Sequence, residues 1–234
     1  MITVADCERV QTDWYGRCAR LTGGEVWQDD GLDWVWMAHS GSLMLMFPTA
    51  VDPSALARGL EYGKQHDAKI VGAWLGLPAE DAVAGALSKA NFERGWAPWW
   101  MAAPMTALAG PLDPRIVLEG DTAEYDDPEE RDLLVLAQAR PQVDWHAAAR
   151  VDGRFAGRCW SHLAGELAGI FDMVVWPRFR RRGLGAGLMR GVCAPAAAAG
   201  ARHAVLNATP EGEKLYSTMG FERLGDGITW WLHP

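Results

Sequence analysis

Two stretches of this chain, residues 68–101 and 201–232, carry the same features in the same order. Each begins with an apolar run typical of a strand, continues with a helix pattern, reaches Phe-Glu-Arg, and ends in a segment that contains Trp-Trp. Phe92 and Phe221, the first residues of the two Phe-Glu-Arg segments, are 129 positions apart. An internal repeat of this kind predicts two similar folding units within one chain.

The two units are expected to meet at a segment rich in Pro, Gly and Ala. Residues 102–115 read AAPMTALAGPLDPR, a composition typical of a connector. We therefore predict two domains, residues 1–108 and residues 112–234. The chain has 234 residues, of which 49% are hydrophobic, and this is enough for a sizeable core.

Composition excludes several classes of function. A net charge of −8 argues against nucleic acid as a partner, because proteins that follow a phosphate backbone need an excess of Lys and Arg. The four cysteines form no CxxC pair and no zinc-ligand spacing, so neither a metal site nor a disulfide framework is predicted. No signal-peptide pattern and no apolar run of membrane-spanning length is present, which predicts a cytoplasmic protein without a membrane partner.

The second half has a readable order of strands and helices. Residues 146–163 predict two strands joined by a tight turn at Asp152-Gly153, since Asp-Gly is a strong hairpin signal. A buried strand, GIFDMVVW, follows at residues 169–176, and a helix is predicted from Leu184 onward, kinked or restarted at Pro195. After the short strand AVLN, Thr209-Pro210 predicts another helix start, with Thr as the cap and Pro at the first helical position.

Between the strand and the helix lies RFRRRGLGAGLM, residues 178–189, with four arginines and three alternating glycines. It does not fit the dinucleotide pattern G-x-G-x-x-G/A, because Leu188 stands at the third glycine. It does not fit a P-loop either, because Leu188 and Met189 follow Gly187 in place of Lys and Ser or Thr. A strand, a glycine turn and a helix N-terminus beside fixed positive charge predict a pyrophosphate site. A solvated basic loop is the alternative interpretation.

Two motifs in this half resemble the GNAT acetyltransferase superfamily. RRRGLG, residues 180–185, matches the R/Q-x-x-G-x-G/A signature of that family, and KLYSTMGFE, residues 214–222, resembles its L-Y-x-x-x-G-F segment. The resemblance covers residues 115–234. It implies an α/β (α+β) GNAT fold, with a mixed central sheet flanked by helices and two tandem GNAT-like halves. It also implies that the sheet opens between the GIFDMVVW and AVLN strands, and that acyl-CoA lies in this gap.

The resemblance also implies roles for individual residues. Tyr216 would protonate the departing thiolate, unless it is only a packed core tyrosine. Asp172 is the first candidate for the general base, with Glu166 and His162 as further candidates, but Asp172 could equally be a structural acceptor. The expected donor-binding residues are the strand segment that pairs with pantetheine and the turn that holds the pyrophosphate. They are Met173, Val174, Val175, Arg180, Arg181, Arg182, Gly183, Leu184, Gly185 and Ala186.

The first half resembles a second copy that has lost this chemistry. Shifting Tyr216 back by the repeat distance gives Leu87, and the segment before Ala68 has neither the arginines nor the paired glycines. We expect this half not to bind CoA. Its tryptophans either form a wall of the acceptor site or only fill the core.

Three functions are compatible with these residues. The first is acetyl transfer from acetyl-CoA, as donor co-substrate without a metal, to the amine of a small molecule. The second is acyl transfer from the pantetheine arm of an acyl carrier protein, which would meet Arg178–Arg182. The third is a non-catalytic protein that binds acyl-CoA. The sequence carries no signal for an oligomeric state.

Overall fold

The computed structural model describes residues 1–119 and 128–234, and the helices and strands below are those of these residues. The eight helices are α1 Val4–Leu21, α2 Pro53–Gln65, α3 Glu80–Lys89, α4 Met105–Leu108, α5 Pro128–Leu133, α6 Val135–Gln138, α7 Leu184–Ala198 and α8 Pro210–Thr218. The twelve strands are β1 Glu25–Asp29, β2 Leu32–Met37, β3 Ser42–Met46, β4 Ile70–Gly76, β5 Glu93–Arg94, β6 Trp99–Pro104, β7 Ile116–Leu118, β8 Asp144–Val151, β9 Arg154–Ala164, β10 Leu167–Val175, β11 His203–Ala208 and β12 Glu222–Leu232.

The chain forms two compact units, and each contains a piece from both halves of the sequence. The N-terminal unit consists of Thr3–Pro98 and Gly225–Pro234, and the C-terminal unit consists of Met1–Ile2 and Trp99–Leu224. These bounds differ from the predicted division at 108 and 112. The reason lies in strand pairing: β6 pairs with β11 of the C-terminal unit, while the end of β12 pairs with β4 of the N-terminal unit.

The two units have the same strand pairing. In the N-terminal unit, β1–β2 and β2–β3 are antiparallel and β3–β4 is parallel. In the C-terminal unit, β8–β9 and β9–β10 are antiparallel and β10–β11 is parallel. β7 extends the C-terminal sheet at the outer edge of β8. Each sheet is therefore mixed and flanked by helices, as predicted.

Local sequence signals explain the elements of the C-terminal unit. Asp152 and Gly153 both have positive φ (52° and 74°), as a two-residue hairpin turn requires. The Thr209 hydroxyl accepts a hydrogen bond from the Gly212 N–H at 3.1 Å and begins α8, as predicted. Helix α7 runs through Pro195 without a restart, and the carbonyl of Pro195 accepts from Ala199.

Each unit has its own core. In the C-terminal unit, small residues and Leu of α7 pack against alanines of β8 and β9, and Leu184, Leu188 and Val192 are fully buried. In the N-terminal unit, Trp34, Leu43 and Leu45 form the centre of the core under α2. Within residues 1–119 and 128–234, no helix is long and apolar enough to cross a membrane.

Candidate functional site

The parallel strands β10 and β11 stay together for only three residue pairs. Pairing joins Leu167–Gly169 to His203–Val205 and then stops. From there β10 continues along β9 to Val175, while β11 continues along β6 to Ala208. The sheet therefore opens between these two strands, and this confirms the gap predicted from the sequence.

A β-bulge shapes the edge of β10 that faces the gap. The pairing with β9 shifts between Phe171 and Val174, and Asp172 adopts a left-handed backbone with φ of 47°. The bulge inserts one extra residue in β10, which bends the strand and increases its local twist. Met173, Val174 and Val175 are half-buried, while Asp172 is exposed.

The Val175 carbonyl is already engaged by a side chain of the same chain. The Trp176 N–H bonds to Ala156 of β9, so the polar groups of Val175, one residue earlier, point away from β9. Nε of Arg180 donates to the Val175 carbonyl at 3.0 Å, and Nη1 of Arg180 lies 3.2 Å from the Glu211 carboxylate. Arg180 thus links the end of β10 to the first turn of α8.

Helix α7 begins without a side-chain cap. Its first position is preceded by Gly183 with φ of 80°, and the first backbone bond within the helix joins the Gly187 N–H to the Gly183 carbonyl. The first amides of a helix have no carbonyl partner within it, and they carry the positive end of its dipole. Arg181 also has positive φ (62°), so the turn before the helix folds tightly around these amides. Helix N-termini of this kind commonly bind anions.

Two further residues, Arg115 and Asp113, stabilise the turn before α7, and the sequence did not single them out. Arg115 donates from Nη2 to the Arg182 carbonyl at 3.0 Å, and Asp113 holds the Arg115 guanidinium at 2.6 Å. The hydrogen bonds to Arg115 lower the pKa of Asp113. The Asp-Pro-Arg sequence at 113–115 was the available signal, since Asp before Pro commonly starts a turn.

The arginine side chains of this turn do not all have the same role. Arg178 and Arg182 lie against the Phe179 ring, with guanidinium carbons 4.8 and 5.8 Å from its centroid. All four arginines are exposed, so their charge stands beside the uncapped amides. Arg180, predicted as a donor-binding residue, has protein partners at both ends of its guanidinium.

Close packing places α8 beside the start of α7. A Cβ on Gly185 would stand 2.8 Å from Cδ2 of Leu215, closer than van der Waals contact allows. A side chain at 185 would therefore require Leu215 to change its rotamer or the two helices to move. Tyr216 follows Leu215, so the packing brings the phenol-bearing helix to the predicted pyrophosphate turn.

Tyr216 is a buried residue of the C-terminal core. It is 9% exposed, its ring centroid is 5.8 Å from that of Phe221, and its carbonyl accepts from the Phe221 N–H. Burial raises the pKa of the Tyr216 phenol well above its ordinary value, and the neighbouring Cys159 thiol raises it further. The phenol therefore stays protonated at physiological pH, the state that a proton donor needs. The two interpretations of Tyr216, core residue and proton donor, are compatible with each other.

The three candidate bases lie in very different surroundings. Glu166 stands at the start of β10 and pairs with Arg202 at 3.0 Å, about 20 Å along the strand from the bulge. His162 is 1% exposed, and its Nδ1 lies 2.7 Å from the buried Asp144 carboxylate. Asp172 is the exposed candidate, at the bulge on the edge of β10.

The structure places the turn at Arg180–Ala186 between the end of β10 and the start of α7, and Gly185 in this turn packs against Leu215, the residue before Tyr216. Asp172 lies at the bulge of β10. Glu166 lies beside the first residue of β10, at the opposite end of the strand, and His162 is buried against Asp144. Among residues 1–119 and 128–234, no group of three or more His, Cys, Asp or Glu side chains is placed to hold a metal.

Comparisons with known proteins agree with this arrangement. Residues 144–223 match the family model described as an acetyltransferase (GNAT) domain. A GCN5-related N-acetyltransferase from Kribbella flavida has a TM-score of 0.65 and 17% identity, covering 99% of this chain and 96% of its own. A GNAT-family protein from Novosphingobium aromaticivorans has a TM-score of 0.58 and 23% identity, with 95% of each chain covered.

A third structure is similar over both units. A tandem GNAT protein from the clavulanic acid biosynthesis pathway has a TM-score of 0.55 and 15% identity, covering 86% of this chain and 78% of its own. No curated protein matches the sequence. Residues 144–223 therefore belong to the GNAT family of acetyltransferase domains, and the chain as a whole has the GNAT fold.

Proposed function

We propose that this protein is an acyl-CoA-dependent N-acyltransferase that moves an acetyl group from acetyl-CoA to the amine of a small molecule. One observation carries the proposal: the open edge of β10 leads directly into the uncapped start of α7. A donor with a pyrophosphate and a chain of amides needs these two features side by side.

The donor would be held mainly by backbone groups. The amides of Arg181–Ala186 bind the pyrophosphate, with Arg181 and Arg182 adding charge next to them. The edge of β10 at Met173–Val175 pairs with the pantetheine amides, as an added strand would. Because Arg180 covers the Val175 carbonyl, its guanidinium has to turn away when the donor binds there.

The transfer needs one proton acceptor and one proton donor. The amine, charged in solution, first loses one proton to water; its neutral nitrogen then attacks the thioester carbonyl, a new C–N bond forms, and the C–S bond breaks. An amide of the strand edge polarises the carbonyl oxygen while it gains charge. Asp172 takes the proton that the nitrogen loses after the attack, and Tyr216 gives its proton to the CoA thiolate. The raised pKa keeps the phenol protonated but makes it a weaker acid, so this role depends on the position of Tyr216 on α8 beside the turn.

The acceptor is proposed to be a small amine that carries positive charge. The chain has a net charge of −8, so its average field attracts cations. The proposed setting is the cytoplasm, where acetyl-CoA is the donor and neither nucleic acid nor a membrane takes part. A carrier-protein thioester is the alternative donor, since the exposed arginines of the turn offer a surface to an acidic partner.

The donor site is tested by calorimetric titration of acetyl-CoA into the intact chain and into Gly183→Glu. A carboxylate at position 183 would stand at the uncapped amides and repel the pyrophosphate. The matched control is Gly153→Glu, because Gly153 has similar positive φ (74° against 80°) and equally open surroundings. The control therefore carries the same backbone strain far along the chain from the turn.

We expect the wild type and Gly153→Glu to bind acetyl-CoA, and Gly183→Glu to lose binding. Equal binding by all three proteins would refute the proposed pyrophosphate site. No binding by any of them would exclude free acetyl-CoA, and the same titration with a carrier-bound acyl group would then decide between the two donors.

A further inference from the structure

The N-terminal unit contains an aromatic cluster centred on Trp74 of β4. Three rings stand on edge around it: Tyr15 at 6.3 Å, Trp96 at 6.0 Å and Trp231 at 6.3 Å between ring centroids. The planes of these rings make angles of 60°, 82° and 77° with that of Trp74. The rings come from α1, from the segment after β5 and from β12, so three separate elements converge on one indole.

The cluster is open to solvent on one side. Trp74 is 5% exposed and forms the floor, whereas Trp96 is 37% exposed. Tyr15 and Trp231 are half-buried. A core cluster would be buried on all sides, whereas here burial decreases from Trp74 to Trp96. The four rings of Tyr15, Trp74, Trp96 and Trp231 are called the aromatic bowl below.

A carboxylate lies at the same face of the sheet. Glu8 is on α1, two helical turns before Tyr15 and on the same side of the helix. Its Oε1 stands 2.7 Å from the position that a Cβ on Gly76 would take, and Gly76 and Trp74 share a face of β4. A side chain at position 76 would therefore require the Glu8 carboxylate to move.

The polar atoms beside the bowl are unsatisfied. Within residues 1–119 and 128–234, neither Oε1 of Glu8 nor Nε1 of Trp74 has a hydrogen-bond partner, although both atoms are buried. Because Oε1 is buried while the Glu8 side chain as a whole is only half-buried, its charge is partly desolvated, and a cation would compensate it. Burial also raises the pKa of Glu8 from 4.5 to about 6, so the group is mainly ionised at neutral pH.

We propose that Glu8, Trp74 and the rings of Tyr15, Trp96 and Trp231 form a binding site for a small organic ammonium ion. The ring faces supply cation–π contacts, the ring edges supply dispersion contacts only, and the carboxylate supplies the opposite charge. A metal ion is a poor occupant, because indole and phenol rings offer it no ligand atoms of the usual kind. This site lies wholly in the N-terminal unit and is separate from the transferase function proposed above.

The test uses tetramethylammonium chloride as the probe, titrated into the intact chain without acetyl-CoA at constant ionic strength held with sodium chloride. Tryptophan fluorescence and calorimetry report binding. tert-Butanol serves as a neutral molecule of similar shape, which the site should not bind. The variants are Glu8→Gln, which keeps the shape and removes the charge, and Trp96→Ala, which removes the exposed wall.

The control variant is Trp27→Ala, a half-buried tryptophan of the same unit that stacks on Trp34 and contacts Tyr62 instead. We expect saturable binding by the wild type and by Trp27→Ala, weakened about tenfold or more in Glu8→Gln and Trp96→Ala. Absence of saturable binding by the wild type, or equal binding by Glu8→Gln, would overturn the proposal. Neither result bears on acetyl-CoA binding, which Gly183→Glu tests separately.

Discussion

The parallel strand pair is closed in the N-terminal unit and open in the C-terminal unit. All five residues of β3 pair with β4, from Ser42 with Ile70 to Met46 with Trp74. The Phe47 N–H then bonds to the Trp74 carbonyl at 2.7 Å and extends the contact by one more residue. In β10 only three of nine residues pair with β11. The same topology thus either closes its sheet or leaves a strand edge free for a ligand.

The helices that follow these strands differ in the same way. At the start of α2 the Asp52 carboxylate accepts hydrogen bonds from the amides of Ser54 and Ala55, both at 2.9 Å. At the start of α7 Gly183 offers no side chain. In the N-terminal unit the Asp52 carboxylate therefore binds the amides at the start of α2. In the C-terminal unit no side chain caps the amides at the start of α7.

The third difference concerns Leu87 and Tyr216. The N–H of Phe92 bonds to the Leu87 carbonyl at 3.0 Å, and the N–H of Phe221 bonds to the Tyr216 carbonyl at 3.1 Å. The two residues thus occupy the same place at the end of their helices, as the repeat predicted. Leu87 is fully buried and has no proton to give. These three features distinguish the N-terminal unit from the C-terminal unit, for which we propose donor binding.

Tyr216→Phe should have the largest effect of the changes considered. It removes the phenol hydroxyl, which the N-terminal unit, with Leu87 in the equivalent place, also lacks. We expect kcat to fall by about 10²- to 10⁴-fold, the usual contribution of a general acid, with acetyl-CoA affinity unchanged. Steady-state kinetics and calorimetry measure the two quantities. Tyr62→Phe in the N-terminal unit is the control and should keep full kcat. An unchanged kcat in Tyr216→Phe would mean that the thiolate takes its proton from another group.

Asp52→Ala should have an intermediate effect. Loss of the cap leaves the α2 amides unsatisfied and lowers the free energy of unfolding by about 1 kcal/mol, measured by chemical denaturation. Asp52→Asn keeps an acceptor and should lose much less. The variant should not gain acetyl-CoA binding, because β3 remains paired with β4. Acetyl-CoA binding by the N-terminal unit of Asp52→Ala would show that the cap alone excludes the donor.

Glu8→Gln should have the smallest effect, and its sign depends on pH. Because burial raises the pKa of Glu8 from 4.5 to about 6, the folded state favours the protonated carboxyl, and this contribution to stability is complete below pH 4.5. It is lost as pH rises through about 6. The variant should therefore be more stable than the wild type at pH 7, by less than about 1 kcal/mol because solvent reaches part of the side chain.

Denaturation curves at pH 4 and pH 7 measure this difference. A stability difference that is the same at both pH values would contradict the role assigned to Glu8. If the ammonium site exists, tetramethylammonium at saturation should favour the wild type and reduce or reverse the difference at pH 7.

The sequence predicted the turn and the hairpin because each depends on residues close in the chain, whereas the gap between β10 and β11 was implied by the family resemblance. Asp152-Gly153 and the arginine-glycine stretch have local conformations that few sequences adopt. The N-cap of α2 at Asp52 also has a local signal, Asp-Pro-Ser, because Asp is a common cap and Pro a common first helical residue. The partners of Arg180 were not predictable, because a long side chain reaches a carbonyl and a carboxylate whose positions depend on the whole fold.

The exchange of the last strands could not be predicted for a different reason. The segments after Phe92 and Phe221 have nearly the same pattern, so either would fit either sheet by hydrophobicity alone. The choice depends on the connections and on packing with each unit, which the pattern does not encode. Repeats predict the shape of a unit better than they predict which segment completes it.

The strand exchange also affects how the chain can be made and cut. The N-terminal unit includes Gly225–Pro234. On the ribosome its sheet therefore stays incomplete until these late residues have been synthesised. More than a hundred residues separate the two pieces, and such distant contacts slow folding. Cleavage after Pro98 would remove a strand from the N-terminal sheet, whereas the fragment from Trp99 would keep every helix and strand of the C-terminal unit. A fragment made for study should therefore be a permuted chain that joins Gly225–Pro234 to Thr3–Pro98.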